Sequence, residues 1–214
     1  MAIRADGEVE PLRFEFDRLV LAGWAGRDKE SVYAHIEELK RLGIPPPPKV
    51  PCFFHVGANL LTTERTVRVL ESRNNGEVEY VLLLEGGRPK YVTVGSDHTD
   101  RDMERESFLL SKQLCPKVIP PIVWVYDEVI DHWDDLILRM SVDGKISQES
   151  PLKSLLKPQD LVREAGLGDC NAILFSGSIP WIGGEMAFGR RYRIELEDPI
   201  FRRKISYTYE TVKA

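Results

Sequence analysis

The chain has few cysteines, no long apolar run and no excess of basic residues, and each of these absences excludes a class of protein. Cys52, Cys115 and Cys170 are the only cysteines among 214 residues, and their odd number and wide spacing fit neither a disulfide framework nor a zinc motif. No apolar run approaches the roughly 20 residues that cross a membrane. The net charge of −5 argues against nucleic-acid binding, because affinity for phosphates needs a basic surface. We therefore expect a protein that binds neither nucleic acid nor a membrane.

The N-terminal residues and the unpaired cysteines together predict where the protein works. Residues 1–11 carry charged side chains and lack the apolar stretch of a secretory signal. Cysteines without partners suit a reducing compartment, so we expect a cytoplasmic location. The length is sufficient for one sizeable core with a small additional lobe.

Apolar periodicity predicts a strand-dominated α+β fold. Residues 12–22 read as a first strand, and Val32, Ile36 and Leu39 form an apolar stripe that predicts a helix ending near Gly43. The four prolines at 45–48 form an extended connector. Further strands are predicted at residues 52–54, 66–70, 77–84, 91–94, 122–125, 136–140, 172–175, 191–197 and 206–212, with turns at 74–76 and 143–144 and short helices at 102–114 and 152–161. The predicted division is an N-terminal strand and helix over 1–48, followed by a β-rich domain over 49–214.

Three carboxylates carry most of the chemistry that the sequence offers. Glu77 and Glu79 lie two apart in a predicted strand, so both point to the same face. The continuously apolar run 80–84 follows them, as in a strand buried on both faces. Acids at the mouth of a core strand need neutralisation, and a hard divalent cation prefers such oxygen ligands. Asp97 follows the next strand and can complete the site; the alternatives are a solvated strand face and a polar turn.

Two further positions on predicted helices offer polar chemistry. His35 and Glu38 lie three apart on one side of the first helix, where a carboxylate can orient a histidine that acts as a general base on water. Lys112 can hold a substrate carboxylate or the developing charge of an enolate. The alternative for His35 and Glu38 is a surface pair beside the apolar stripe, and the alternative for Lys112 is an ordinary surface lysine.

A glycine-rich turn and one histidine complete the set of candidates. Ser176, Gly177 and Ser178 can offer backbone N–H groups and hydroxyls to an anion, and the alternative is a simple turn at a strand end. No Gly-Lys-Ser/Thr follows, so the turn is not a phosphate-binding loop. His98 is a candidate because it adjoins Asp97.

Taken in order, these segments resemble the fumarylacetoacetate hydrolase family. Glu77-Val78-Glu79 with its apolar run resembles the family's Glu-x-Glu strand, and residues 91–102 are similar to its Tyr-Thr-Val-x-x-Asp-x-Ser/Thr-x-Arg-Asp stretch. Residues 176–180 resemble its Thr-Gly-Thr-Pro turn, and residues 33–38 resemble its lid helix. The resemblance runs from about Leu19 to about Val212. The gap between Glu79 and Asp97 is shorter than in the family's better-known enzymes, as in a compact, divergent prokaryotic branch.

The resemblance implies a mixed β-sandwich roll with a small N-terminal helical lid segment, usually assembled as a homodimer. It implies Mg²⁺ or Mn²⁺ as the cofactor. The roles that it implies are metal ligation by Glu77, Glu79 and Asp97, site support by Arg101, catalysis by Lys112 and the water-activating pair His35 and Glu38, and substrate binding by Ser176, Gly177 and Ser178. We also expect His98 to bind substrate, because it adjoins Asp97.

The activity that the resemblance implies is a divalent-metal-dependent hydrolase that cleaves C–C bonds of a 2-oxo or 1,3-diketo acid through a stabilised enolate. A 2-oxo acid decarboxylase or hydratase of the same fold is the first alternative, because these enzymes share the metal and differ in how water is placed. A catalytically silent protein that binds a metabolite is the second, because a fold does not fix a function.

Overall fold

The computed structural model describes residues 1–41, 46–70 and 73–214, without the side chains of residues 35, 38 and 39. These residues form two mixed sheets and few helices, which confirms the β-rich α+β class. In chain order the strands are β1 (Ala2–Ile3), β2 (Val9–Glu10), β3 (Arg18–Gly23), β4 (Cys52–Val56), β5 (Leu61–Thr62), β6 (Thr66–Val69), β7 (Asn74–Glu85), β8 (Arg88–Asp100), β9 (Lys117–Val118), β10 (Val123–Val125), β11 (Ile137–Val142), β12 (Lys145–Pro151), β13 (Ala172–Phe175), β14 (Arg191–Asp198) and β15 (Arg203–Lys213). The helices are α1 (Lys29–Arg41), α2 (Phe108–Gln113) and α3 (Pro158–Ala165).

The long hairpin β7–β8 is the centre of the larger sheet. The main strand order is β2-β1-β10-β8-β7-β13-β3-β4, and β9 and β5 extend the sheet from β8. The smaller sheet has the order β12-β11-β14-β15-β6. Alternate β7 residues, among them Tyr80 and Leu82, face a core shared with the smaller sheet. Val81 and Leu83 face a second apolar cluster on the other side, so β7 is buried on both faces, as its continuous apolar run predicts.

The strand of the N-terminal segment lies inside the larger sheet. β3 pairs in parallel with β13 and antiparallel with β4, and its residues 19–22 are buried. The strands before and after the predicted proline connector, β3 and β4, therefore belong to one sheet. Asp28 begins this helix by accepting a hydrogen bond from the Glu30 N–H at 3.1 Å, and the predicted stop at Gly43 lies outside the described residues.

The turn predicted at 74–76 is wrong, because these residues form the start of β7. β8 is long enough to pair with them, so Asn74 lies opposite Asp100 and Gly76 lies opposite His98. A Cβ atom on Gly76 would stand 2.1 Å from the Ser96 hydroxyl oxygen. The glycine therefore allows a close approach within the hairpin and does not turn the chain.

The short helices predicted at 102–114 and 152–161 are each divided in two. A single 3₁₀ turn precedes α2 and another precedes α3. Among the described residues, no helix is both long enough and apolar enough to span a bilayer.

Candidate functional site

The three predicted carboxylates lie on one face of the β7–β8 hairpin. Glu77 stands directly opposite Asp97 in the ladder, and Glu79 stands opposite Gly95. Directly opposed side chains of an antiparallel pair share a face, so the three acids form one cluster. Asp97 is fully buried and Glu79 is 1% exposed, whereas the Glu77 side chain is 16% exposed. Glu77 is therefore the most exposed of the three acids.

Lys112 lies between two of these carboxylates. Its ammonium group contacts Asp97 Oδ2 and stands 3.8 Å from Glu77 Oε2 and 3.4 Å from the Thr99 hydroxyl. The helix α2 carries it there, and the Ser107 hydroxyl caps that helix by accepting from the Leu110 N–H at 3.3 Å. The structure therefore brings Lys112 to the predicted acids.

A second lysine, which sequence reasoning missed, is buried against Asp97. Lys117 begins β9, where it stands directly opposite Asp97 in the pairing with β8. Its Nζ is 2.8 Å from Asp97 Oδ1 and donates to the His98 carbonyl oxygen at 2.6 Å. The sequence signal that could have identified Lys117 is its position directly before the apolar pair Val118-Ile119. An unpaired charge at such a position would be costly, so a buried acidic partner is expected.

Arg101, just beyond β8, is held between two acids and an amide. Its guanidinium lies 3.2 Å from Glu77 Oε1 and 2.8 Å from Glu104 Oε1. Its Nε donates to the Asn75 side-chain oxygen at 2.6 Å. Arg101 thus fixes one oxygen of Glu77, as its predicted supporting role requires, and sequence reasoning missed the contributions of Asn75 and Glu104.

The glycine-rich turn reaches the site through a backbone N–H group. Gly177 donates its N–H to Glu79 Oε2 at 2.8 Å, and its φ of 84° lies in the left-handed region that favours glycine. The Ser176 hydroxyl donates to the Gly177 carbonyl oxygen. The Ser178 hydroxyl accepts from the Gln148 amide at 2.8 Å. Of the three predicted turn residues, Gly177 is the one that contacts a carboxylate.

Charge and burial shift the pKa values of Glu79 and Asp97 in opposite directions. Burial raises the pKa of Glu79 well above its ordinary value, and the neighbouring charges of Asp97 and Glu77 raise it further. Burial alone would also raise the pKa of Asp97, but the Lys112 and Lys117 ammonium groups outweigh it and hold that pKa at about 2. Lys112 and the Gly177 N–H oppose the shift of the Glu79 pKa without cancelling it, so Asp97 favours its anionic form and Glu79 its neutral form more than the free side chains do.

The chemistry of these donors fits a hard divalent cation. One oxygen of each carboxylate lies against a polar group: the Arg101 guanidinium is 3.2 Å from Glu77 Oε1, the Gly177 N–H donates to Glu79 Oε2, and Lys117 Nζ is 2.8 Å from Asp97 Oδ1. The opposite oxygens of Glu77 and Asp97 both face the Lys112 ammonium. Among the described residues no three acid, histidine or cysteine side chains are already arranged to hold a metal.

The structure does not bring His98 to the carboxylates. Adjacent strand residues point to opposite faces, and the His98 ring packs edge-on against Tyr192 and Tyr209 on the far side of β8. Its Nε2 lies 2.6 Å from the Tyr209 hydroxyl. The side chains of His35 and Glu38 lie outside the described residues, so their pairing stays a prediction.

Three half-buried aromatic side chains adjoin the lysine side of the site. Phe108 lies four residues before Lys112 on α2, so both are on the same side of that helix. Trp24, directly after β3, packs against Phe108 with ring centroids 4.8 Å apart, and Phe54 of β4 stands 6.4 Å from both rings. An apolar surface thus lies beside a charged cluster.

Comparison with solved structures shows the fold. The chain is similar to a protein assigned as a fumarylacetoacetate isomerase/hydrolase from Oleispira antarctica (TM-score 0.69, 14% identity, 99% of each chain covered). It is also similar to a 5-carboxymethyl-2-hydroxymuconate delta-isomerase from Mycobacterium smegmatis (0.63, 16%, 92% of this chain and 79% of that one). A third match is a 2-keto-3-deoxy-D-arabinonate dehydratase (0.61, 15%, 92% and 73%). The predicted fumarylacetoacetate hydrolase fold is therefore confirmed.

Sequence comparisons give a separate assignment. A search of curated proteins found no match to the chain. One family model, described as "Protein of unknown function (DUF2848)", matches residues 22–209 and so spans most of the chain. The chain therefore belongs to the DUF2848 family, built on the fold of the fumarylacetoacetate hydrolases.

Proposed function

We propose that the protein is a divalent-metal-dependent enzyme that stabilises an enolate during cleavage of a C–C bond in a 2-oxo or 1,3-diketo acid. The observation that carries the proposal is the set of three carboxylates on one face of β7–β8, with Lys112 between the free oxygens of Glu77 and Asp97. The ammonium group at that position supports the proposal, because it lies where a positive charge is stabilised by both carboxylates. The solved neighbours named as an isomerase and a dehydratase support enzymatic activity for this fold.

Glu77, Glu79 and Asp97 would hold Mg²⁺ or Mn²⁺. When bound, such an ion supplies Lewis acidity toward the carbonyl and carboxylate oxygens of the substrate. Lys112 would leave the carboxylates and place its positive charge near the oxygen of the developing enolate. His35, oriented by Glu38, would take a proton from water, and α1 would close over the site to exclude bulk solvent.

The aromatic surface favours a substrate that carries an apolar group. We expect phenylpyruvate to bind the Mg²⁺-loaded protein more tightly than pyruvate, because its ring can pack against Trp24 and Phe108. Phe108→Ala should reduce the ratio of the two affinities by about 10-fold, the equivalent of roughly 1.4 kcal/mol. Competition calorimetry gives both affinities, and an unchanged ratio would show that this surface does not contact the substrate.

Calorimetric titration of metal-free protein tests the proposed function itself. We expect Mg²⁺ or Mn²⁺ to bind, and oxalate, which resembles a planar enolate of a 2-oxo acid, to bind in the presence of the metal and not in its absence. Glu77→Gln/Glu79→Gln should weaken metal binding by more than about 100-fold, since even second-shell changes cost 10–100-fold. Glu85→Gln, an exposed acid on the same strand, is the matched control and should bind as the wild type does.

The outcomes separate the candidate functions. Absence of metal binding in the wild type would refute the proposed site. Metal-dependent oxalate binding without turnover of any 2-oxo or diketo acid would favour the silent metabolite-binding alternative. Release of CO₂ from a 2-oxo acid would assign the decarboxylase alternative, and addition of water to the C=C bond of an unsaturated 2-oxo acid without loss of a carbon fragment would assign the hydratase alternative.

A further inference from the structure

Lys117 is a buried cation that the proposed chemistry does not use. Its side chain has no exposed surface, and its nitrogen lies within hydrogen-bond distance of two oxygens, Asp97 Oδ1 at 2.8 Å and the His98 carbonyl at 2.6 Å. The second of these acceptors belongs to the backbone of β8 and cannot turn away. Lys117 is therefore held in place independently of what happens at the Asp97 carboxylate.

Lys112 differs from Lys117 in the contacts that restrain it. Its side chain is 8% exposed, and its contacts besides Asp97 are the longer ones to Thr99 and Glu77, at 3.4 Å and 3.8 Å. A cation arriving at the free oxygens can displace the Lys112 ammonium toward solvent. It cannot displace Lys117, because the fully buried side chain has no exposed route and keeps its bond to the His98 carbonyl.

We propose that Lys117 is a positioning residue that restricts Asp97 to a single ligand oxygen and thereby makes the site select Mg²⁺ over Ca²⁺. The proposal rests on the metal site of the proposed function. Because the buried Lys117 ammonium stands 2.8 Å from Oδ1, an ion that approaches Asp97 meets Oδ2 first. The Arg101 contact to Glu77 and the Gly177 N–H to Glu79 impose the same restriction on the other two acids.

The coordination preferences of the two ions turn this restriction into selectivity. Ca²⁺ takes six to eight oxygens at about 2.3–2.6 Å and often binds a carboxylate through both oxygens, whereas Mg²⁺ takes six at about 2.0–2.1 Å and keeps several waters. Three single oxygens suit the smaller ion and leave positions for water and substrate. Lys117 differs from the other two restraints. Its side chain is fully buried, and Asp97 is its one carboxylate partner among the described contacts.

Calorimetric titration of the metal-free protein with Mg²⁺ and with Ca²⁺ tests the proposal without reference to turnover. We expect the wild type to bind Mg²⁺ at least about 10-fold more tightly than Ca²⁺. Lys117→Met frees Asp97 Oδ1, so the affinity for Ca²⁺ should rise relative to that for Mg²⁺ by about 10–100-fold, the range of second-shell effects. Lys117→Arg keeps a donor near Oδ1 and should restore much of the preference.

Lys90→Met, which removes an exposed lysine from the same strand as Asp97, is the matched control and should leave both affinities unchanged. A thermal unfolding curve of each variant separates a purely structural role of Lys117 from a role in ion selectivity. A Lys117→Met variant with lower stability and an unchanged ratio of Mg²⁺ to Ca²⁺ affinity would overturn the proposal. If Lys117→Met does not fold, the titrations of the wild type test the proposal. Equal or tighter binding of Ca²⁺ than of Mg²⁺ would overturn the proposed selectivity and leave the metal site itself standing. Absence of binding of either ion would overturn both the inference and the metal site.

Discussion

Asp97→Asn should lower the free energy of unfolding of the metal-free protein by about 3–5 kcal/mol, the typical cost of removing one partner from a buried ion pair. Asp97 is fully buried between two lysine ammonium groups. Asparagine keeps the shape of the side chain and removes the charge, so Lys112 is left with the more distant Glu77 and Lys117 with a backbone carbonyl. Urea denaturation with and without the substitution measures the difference.

A double-mutant cycle shows whether unpaired charge causes the loss. Lys117→Met in the Asp97→Asn background removes the buried ammonium group that lost its partner, so it should restore part of the stability. Glu77→Gln is the matched single control and should cost less, because Glu77 is partly exposed and Arg101 keeps its ion pair with Glu104 at 2.8 Å. A loss below about 1 kcal/mol for Asp97→Asn, the range of exposed pairs, would show that the lysines do not depend on this carboxylate.

The two-residue period of a strand predicted correctly that Glu77 and Glu79 share a face. It placed Glu77 and Glu79 on one face before any pairing was known, and the ladder added Asp97 directly opposite Glu77. The same period also separates Asp97 from its neighbour His98, which points to the other face of β8. Proximity in sequence had favoured His98 as a substrate-binding residue, although alternation within a strand argues against it.

What the sequence could not supply depends on contacts between distant segments. The turn Asp143-Gly144 was predicted correctly, because positive φ angles of 48° and 85° at this dipeptide are a local preference. Asn75-Gly76 carries a similar local signal, yet it is extended because the opposing strand β8 continues past it. Lys117 reaches Asp97 only through the pairing of β9 with β8, and no local pattern encodes that register.

The buried histidine predicts an acid sensitivity of the fold. The pKa of His98 is lowered to about 3, mainly by burial and in addition by the charge of Lys117, while Asp97 opposes the shift. An unfolded chain binds the proton with the ordinary pKa of about 6.5. The contribution of His98 to stability is therefore fully present above pH 6.5 and is lost progressively as the pH falls toward 3. The slope is up to about 1.4 kcal/mol for each pH unit.

Other groups titrate in or near this window, and their signs differ. The pKa of Asp97, held at about 2, affects stability only below about pH 4, the ordinary value for an aspartate. The raised pKa of Glu79 acts in the opposite direction, because the folded state then binds a proton more readily than the unfolded chain does. The difference between the wild type and a variant that lacks the His98 imidazole therefore isolates the histidine.

His98→Gln should give a free energy of unfolding that falls less steeply than that of the wild type between pH 6.5 and pH 4.5. Urea denaturation of the metal-free proteins at several pH values measures both slopes, and His55→Gln, at an exposed histidine of β4, controls for the loss of a histidine as such. The variant starts from a lower stability, since it loses the contact with the Tyr209 hydroxyl and the packing against Tyr192. The two curves should therefore converge as the pH falls, because the wild type alone must keep a buried imidazole neutral. Parallel curves would show that His98 is protonated as readily in the folded protein as in the unfolded chain, and that the interior between the two sheets admits its charge.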